Sequence, residues 1–244
     1  MYRAYKFRII PNDEQKILLN KSFGCARFVY NYYLDLSIKD GYKNANIYIK
    51  DYVNNLKYKY SFLTEIDSII IRQSIFNLDN AYARFFKNSF GKPKFKSKYN
   101  KNSYTTSAVY RNYKNKKYCN IELDLNNSKI KLPKLKWIKI KGYRNLKIID
   151  GHIINATISR ETNGKYYVSV LYEVVDINYH VIPQKIVGID LGVKKLITLS
   201  DGCQIENNKY ILKYEKRIKR VQRELTRKVK RSKNYYKCKQ KLAI

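Results

Sequence analysis

Val187-Gly188-Ile189-Asp190-Leu191-Gly192-Val193 is a short apolar stretch with one carboxylate at its centre and a glycine on either side of it. Its length and its β-branched residues predict a strand, and its apolar character predicts a buried one. An unpaired carboxylate buried there is costly unless a cation, or solvent at a strand end, relieves it. Asp190 therefore has two readings. One is a hairpin-end aspartate with no ligand. The other is a metal ligand for two-metal phosphodiester cleavage, in which one ion activates water and the second stabilises the leaving oxygen. Mg²⁺ suits carboxylate and water ligands. Glycines at 188 and 192 allow a backbone or a phosphate to come close.

Outward from Asp190 the pattern predicts three short strands, Ile186–Leu191, Lys195–Ser200 and Cys203–Glu206, with Asp201-Gly202 as the turn between the last two. Two-metal chemistry needs about three converging carboxylates. Asp201 lies at the far end of the second strand and is expected to point elsewhere. Glu206, Glu215 and Glu224 do not follow a strand as Asp190 does, and the last two are expected to form ion pairs within a helix. From Asn208 to Ile244 the chain reads as helix, with Ile211, Tyr214, Ile218, Val221, Leu225 and Val229 on one face and lysines and arginines on the other. Arg217, Arg220 and Arg227, with Lys194 upstream, are candidate nucleic-acid contacts. Pro183 marks a boundary ahead of this region.

The N-terminal part has a different texture. Tyr2–Ile10 alternates, placing Tyr5, Phe7 and Ile9 on one face and Lys6 and Arg8 on the other, as in a half-exposed strand. Arg3, Lys6 and Arg8 are candidate contacts to nucleic acid. Pro11 stops the strand, and Asn12 with Gln15 resembles a capping box opening a helix. That helix carries Leu18, Leu19, Phe23, Ala26, Val29 and Tyr33 and ends at Asp40-Gly41. A short helix is expected over Ile47–Leu56 and a longer one over Glu65–Asn88, where Ile71, Ile75, Leu78, Tyr82 and Phe85 form a core stripe. Arg72 and Arg84 fall off that stripe, where they can face a ligand, and are candidate nucleic-acid contacts. Gly91-Lys92-Pro93-Lys94-Phe95-Lys96-Ser97-Lys98 is a basic loop around one aromatic; Lys92, Lys94, Phe95, Lys96 and Lys98 suit phosphate contacts, with a solvated linker as the plain alternative.

From Ser103 to Val175 short strands are expected: Ser103–Val109, Lys117–Leu123, Lys129–Leu132, Ile153–Ser159 and Tyr166–Val175, with turns at Asn126-Asn127 and Asn163-Gly164. Strands at this spacing suggest a small barrel. Tyr2–Ile10 can complete it, with the helical segment inserted. The fold class is then α+β.

Composition narrows the partners. The 244 residues are 44% hydrophobic, enough for a core, yet carry 51 Lys+Arg against 19 Asp+Glu, a formal net charge of +32. A compact state so basic repels itself unless a polyanion neutralises it, and nucleic acid is the default polyanion, anionic membrane its rival. No apolar run approaches the ~20 residues of a membrane-spanning helix, and Met1–Ile10 does not read as a signal peptide. The four cysteines, Cys25, Cys119, Cys203 and Cys238, include no CxxC pair and suit a reducing cytoplasm. His152 and His180 lack metal-ligand spacing. The 25 tyrosines, many beside Lys or Asn, can stack on bases; AT-rich codon usage explains them equally well, but not the charge.

These residues carry a family resemblance. The chain resembles the N-terminal part of the transposon-encoded TnpB (OrfB) proteins, RNA-guided DNA endonucleases related to type V CRISPR effectors. The resemblance runs in order through Tyr2-Arg3-Ala4-Tyr5-Lys6-Phe7-Arg8-Ile9-Ile10-Pro11, then Arg27-Phe28-Val29-Tyr30-Asn31. It continues through Ala81 with Arg84-Phe85-Phe86, then Gly91, Pro93, Phe95, Lys96 and Lys98. Leu132-Pro133 and Trp137-Ile138 follow, and Ile189-Asp190-Leu191-Gly192 is similar to the first RuvC-like motif, whose aspartate binds catalytic metal.

The resemblance implies a wedge-like β-barrel from residues 1–10 and 101–182, an inserted helical lobe at 11–100, and the start of an RNase H/RuvC-like domain at 183–244 with a basic bridging helix. It implies guide RNA and target DNA as partners in a bacterial or archaeal cytoplasm. Family members continue with a second catalytic acid, a four-cysteine zinc ribbon and a third aspartate, none of which is in this sequence. Mg²⁺ is thus expected at Asp190 only with the missing carboxylates, zinc only in the missing C-terminal part, and cleavage by this polypeptide alone is not expected. The alternatives are a catalytically inactive RNA-guided binder or repressor and a basic RNA-binding protein of ribosomal type.

Overall fold

A computed structural model describes residues 1–87, 90–99, 102–113, 116–142, 151–174 and 186–243. The chain divides into two compact units, Met1–Val175 and Asp176–Ile244. Pro183 and His180 lie outside the described residues, as does the expected helix end at Asn88.

In the first unit the N-terminal strand becomes the centre of a sheet. β1 (Tyr2–Ile10) buries Phe7 and Ile9, half-buries Tyr5 and exposes Lys6 and Arg8, the alternation that its sequence predicts. α1 (Asp13–Lys39) follows through the expected capping box: the Asn12 side chain accepts from the Gln15 N–H at 2.8 Å, and the Gln15 side chain accepts from the Asn12 N–H at 3.0 Å. α2 (Ala45–Asp51) runs through a π-helical turn, Tyr52–Leu56, into the single turn α3 (Lys57–Lys59).

α4 (Ser68–Phe86) begins three residues later than expected, because Asp67 caps it. One Asp67 carboxylate oxygen accepts from the Ile69 N–H at 3.2 Å, and the other accepts from the Thr106 hydroxyl at 3.0 Å. Glu65 instead meets Lys21 at 2.5 Å. Ile71, Ile75, Leu78 and Tyr82 are buried as the stripe requires, with Phe85 half-buried at its end.

The remaining strands of this unit are β2 (Asn102–Ser107), β3 (Tyr110–Tyr113), β4 (Lys116–Cys119), β5 (Glu122–Asp124), β6 (Lys129–Leu132), β7 (Lys136–Lys141), β8 (Gly151–Arg160) and β9 (Tyr166–Val174). Seven of the strands form one antiparallel sheet in the order β2-β8-β9-β1-β7-β6-β5, and β3 and β4 form a separate hairpin. β1 therefore sits between β9 and β7, partners that come more than a hundred residues later.

The single strand expected over Lys117–Leu123 is two strands, broken at Asn120. Its side-chain oxygen accepts from the Val109 N–H at 2.7 Å, its amide nitrogen donates to the Ser107 carbonyl at 3.2 Å, and its own N–H donates to the Val109 carbonyl at 3.3 Å. These bonds tie the end of β2 to the entrance of β5, the two outermost strands of the sheet. Helices and sheet share one core, in which Phe23, Leu34 and Ile75 join Phe7, Ile130 and Val170.

The second unit holds β10 (Ile189–Leu191), β11 (Lys195–Leu199) and β12 (Gln204–Glu206) in one antiparallel sheet, then α5 (Tyr210–Thr226) and α6 (Lys233–Ala243). The expected turn at Asp201-Gly202 is present: Gly202 has φ +86°, and the Asp201 carboxylate accepts from the Cys203 N–H at 3.0 Å, so it points back into its own turn.

Two expectations fail here. The C-terminal helix does not run on, because the Thr226 hydroxyl donates back to the Arg223 carbonyl at 2.9 Å and Ser232 opens a new helix by accepting from the Tyr235 N–H at 3.1 Å. α6 then returns along α5, and buried Cys238 donates to the Val221 carbonyl at 3.6 Å. Nor is the Asp190 strand buried within this unit: Ile189 and Leu191 are 66% and 75% exposed. Apolar composition asks for a covering layer, and the described residues of this small sheet do not supply one.

Candidate nucleic-acid interface

The basic loop, residues 91–98, owes its shape to α1. The Asn31 side chain donates to the Lys96 carbonyl at 2.9 Å and accepts from the Lys96 N–H at 2.8 Å, pairing with that backbone as a neighbouring strand would. One residue earlier, the Tyr30 ring lies beneath the Lys96 ammonium at 3.7 Å. Lys96 as a residue remains exposed, yet burial of its ammonium against α1 holds its pKa below the ordinary lysine value. One turn back, Arg27 donates to the Asn102 side-chain oxygen at 3.1 Å, where β2 begins. Arg27, Tyr30 and Asn31 thus anchor both the loop and the strand after it.

Lys96 is committed to Tyr30, whereas Lys92, Lys94 and Lys98 are exposed, with Lys98 above Tyr99 at 5.2 Å. Phe95, 54% exposed, stands between them. Alternating lysines and an open aromatic match what a nucleic-acid strand presents, phosphates and base faces. On α4, Arg72 and Arg84 are both exposed, and Arg84 lies 5.6 Å from the Phe90 ring centroid. On β1, Lys6 and Arg8 share the outer face, while Arg3 lies on the opposite side by strand alternation. Lys6 is held by Glu161 at 2.8 Å and lies above Tyr167 at 4.6 Å, which leaves Arg8 as the more available cation of the pair.

In the second unit the helix sorts its own charges. Lys216, Lys219, Arg220, Arg223 and Arg227 line one groove along α5. Lys216, Lys219 and Arg223 join the sequence candidates Arg220 and Arg227 there: Lys216 lies four residues before Arg220, Arg223 three after it and four before Arg227, and Lys219 three after Lys216 and four before Arg223. Arg217 does not join them; it lines a separate hollow with Tyr214, Val221 and Lys241, where α6 returns. The two glutamates behave as expected, Glu215 meeting Lys219 at 2.5 Å and Glu224 meeting Lys228 at 3.8 Å. Lys194 is exposed in the turn between β10 and β11.

Asp190 is exposed and pairs in register with Thr198, which pairs with Gln204. These three share one face of the small sheet, and Ile189, Leu191, Ile197, Leu199 and Ile205 share the other. A Cβ on Gly192 would lie 2.9 Å from the Lys195 carbonyl, so that glycine serves a close backbone approach in the turn. Glu206 is taken up by Lys195. Among the described residues no three His, Cys, Asp or Glu side chains gather as a metal site would require. One carboxylate with a threonine and a glutamine on its face is too few oxygen donors for two divalent ions, so the described residues do not by themselves fit a two-metal centre. His152 pairs with Glu173 at 2.9 Å and stands edge-on to Tyr110, a surface role. The four cysteines are free, and among the described residues no helix is long and apolar enough to cross a membrane.

Comparison with known proteins reaches both ends of this architecture. The family descriptions "Helix-turn-helix domain" and "Probable transposase", both of the OrfB type from IS605 elements, match residues 1–45 and 169–243. Over 98% of its length the chain is 32% identical to "Putative RNA-guided DNA endonuclease InsQ" of Escherichia coli (strain K12). The chain belongs to the TnpB/OrfB family. A second relative, "Putative RNA-guided DNA endonuclease" of Streptomyces pristinaespiralis, is 31% identical over 99% of this OrfB-family chain. The chain spans 58% of the length of each of these two relatives. Among solved structures, that titled "Cryo-EM structure of the Cas12f1-sgRNA-target DNA complex" aligns with all of this chain and 74% of its own, at 12% identity and a TM-score of 0.44, too distant for the fold to lean on. In this OrfB-family chain the "Helix-turn-helix" residues are one strand, one long helix and the turn leading to α2.

Proposed function

We propose that this chain is the nucleic-acid-holding part of an RNA-guided DNA endonuclease, binding a guide RNA and a target DNA through its loop, α4 and α5 cations. The observation that carries this reading is the likeness along nearly the whole chain to relatives named as such endonucleases. The charge of +32 and the basic groove of α5 support it independently. In the same reading the seven-stranded sheet is a wedge-like barrel, its edges drawn together by Asn120, and the helices between β1 and β2 are an inserted lobe. Residues 183–244 begin a RuvC-like domain in which Asp190 contributes one carboxylate toward Mg²⁺. Among the described residues no further carboxylates gather beside it, so in this reading the rest of a two-metal site comes from elsewhere.

Titrating the chain with duplex DNA and with single-stranded RNA across salt concentrations tests the reading. Each phosphate neutralised should add about −0.9 (duplex) or −0.7 (single strand) to the slope of log affinity against log salt. Arg220→Glu with Arg223→Glu should flatten that slope by roughly two contacts' worth. Binding indifferent to salt would remove the proposal. With Mg²⁺ present, guide-dependent cleavage that disappears in Asp190→Ala would show that this polypeptide cuts by itself.

A further inference from the structure

The loop that α1 pins down roofs a hollow of about 330 Å³, within the usual size of small-molecule pockets, about 300–1,000 Å³. Its inner wall is apolar and ring-rich: Phe23, Ile70 and Tyr104 are nearly buried, and the Phe23 and Tyr104 rings lie 5.4 Å apart, tilted by 53°. Its rim is polar. Asn77 of α4 and Asn102 of β2 bring amides, the latter with its oxygen held toward Arg27. Arg27, Lys94 and Lys96 line the hollow and, among the described residues, no aspartate or glutamate does, so its local charge favours an anion.

We propose that this hollow takes a single extrahelical nucleotide, the base inserted toward Phe23, Ile70 and Tyr104 and the phosphate held at the mouth by Lys94. The inference rests on the nucleic-acid reading above and extends it to one defined subsite. Three features select this ligand chemistry. Apolar walls suit the faces of a base, amides suit its hydrogen-bonding edge, and the unopposed cations suit its phosphate. A simple anion would leave the ring-lined wall unused, and an uncharged aromatic would leave the cations unused. A base still stacked inside a duplex cannot reach the inner wall, so the occupant is a nucleotide out of its stack, as single strands readily supply. The roof is held by the two Asn31 bonds to Lys96, so the site exists before the ligand arrives and little ordering is needed on binding.

Photo-crosslinking of the full chain with a single-stranded RNA carrying 5-iodouracil, followed by peptide mapping, tests the assignment. Phe23 and Tyr104 are shielded from outside, so only a base within the hollow can label them. Labelling of either is the expected result. Asn77→Trp, which fills the hollow from an exposed helix position, should abolish that label. It should also weaken binding of the strand by roughly 5- to 150-fold, the value of one base stack. Folding of this variant is checked by thermal melting. Adding 5-iodouridine monophosphate alone separates the two sources of such a ligand. Labelling of Tyr104 by both probes assigns the hollow to nucleotides in general, and labelling by the strand alone assigns it to a nucleotide within a chain. Labels on Tyr210 or Tyr214 of α5 with none on Phe23 or Tyr104 would overturn the hollow while leaving nucleic-acid binding intact. No label anywhere, together with salt-independent binding, would dispose of both.

Discussion

Replacing Asn31 by alanine should release the basic loop without unfolding the protein. Two hydrogen bonds are lost, at 2.9 and 2.8 Å, both to the backbone of Lys96. A net value of about 0.5–1.5 kcal/mol each gives an upper figure of about 3 kcal/mol. The Lys96 N–H and carbonyl lie at the surface and can turn to water, so about 1–2 kcal/mol is the better figure, or 5- to 30-fold in the open population of the loop. Limited trypsin digestion reads that population directly when opening is fast relative to cutting. Cleavage after Lys94, Lys96 and Lys98 should accelerate by that factor, while cleavage after lysines of α5 should not change. Asn31→Asp keeps the acceptor and loses the donor, so it should fall between the two. Tyr30→Phe keeps the ring beneath the Lys96 ammonium and should leave the rate near wild type. Loop cleavage altered less than twofold in Asn31→Ala, with the urea midpoint unmoved, would show that the loop is held by something other than Asn31.

Two other perturbations probe the first unit. Asn120→Ala deprives the Val109 N–H and the Ser107 carbonyl of their partners and should cost roughly 1–3 kcal/mol in urea unfolding; an unchanged midpoint would mean the edge strands do not depend on that residue. Stability should also fall in alkali. Burial pushes Tyr172 up to about 12, and burial pushes Tyr33, Tyr42 and Tyr104 above the ordinary tyrosine value. The folded chain then keeps protons that the unfolded chain releases, so this contribution is whole below about pH 10 and is lost as pH rises through 12. Urea midpoints at pH 8, 10 and 11 should be level and then drop, less steeply in Tyr172→Phe. A flat profile through pH 11 would contradict the assigned burial.

Local chemistry made much of this fold legible. The Asn12–Gln15 box, the alternation of β1 and β9, the stripe of α4 and the Gly202 turn are each decided by residues within a few positions of one another. Where the deciding partner is distant or offers a competing bond, the reading failed. Helical spacing stays in step through Val229, so nothing in the period reveals that Thr226 bonds backward and Ser232 starts afresh. Ile189 and Leu191 look like core because apolar sequence reports a preference for burial, and burial needs a layer to supply it. A loop of eight residues, mostly lysine with one glycine and one proline, reads as a solvated linker as easily as a binding loop; the Asn31 clamp lies 65 residues before Lys96. The face shared by Lys216, Lys219 and Arg223 with Arg220 and Arg227 was open to helical counting. The separation of Arg217 was not, since it depends on where α6 returns.

The position of β1 bears on how the chain comes into being. Of the strands in this sheet β1 is made first, yet it lies in the middle, and the Met1 nitrogen is held by the Val174 carbonyl at 3.1 Å. At roughly 5–20 residues per second, about ten to thirty seconds of translation separate the emergence of β1 from that of its partner β9. During that interval α1–α4 can pack locally while β1 lacks its β9 partner, and until β7 emerges its β7 partner as well, a template for mispairing with any extended chain nearby. The exposed cations Lys6 and Arg8 on that strand keep such encounters mutually repulsive between nascent copies. Charge placed where nucleic acid is expected to bind thus also guards the protein's own birth.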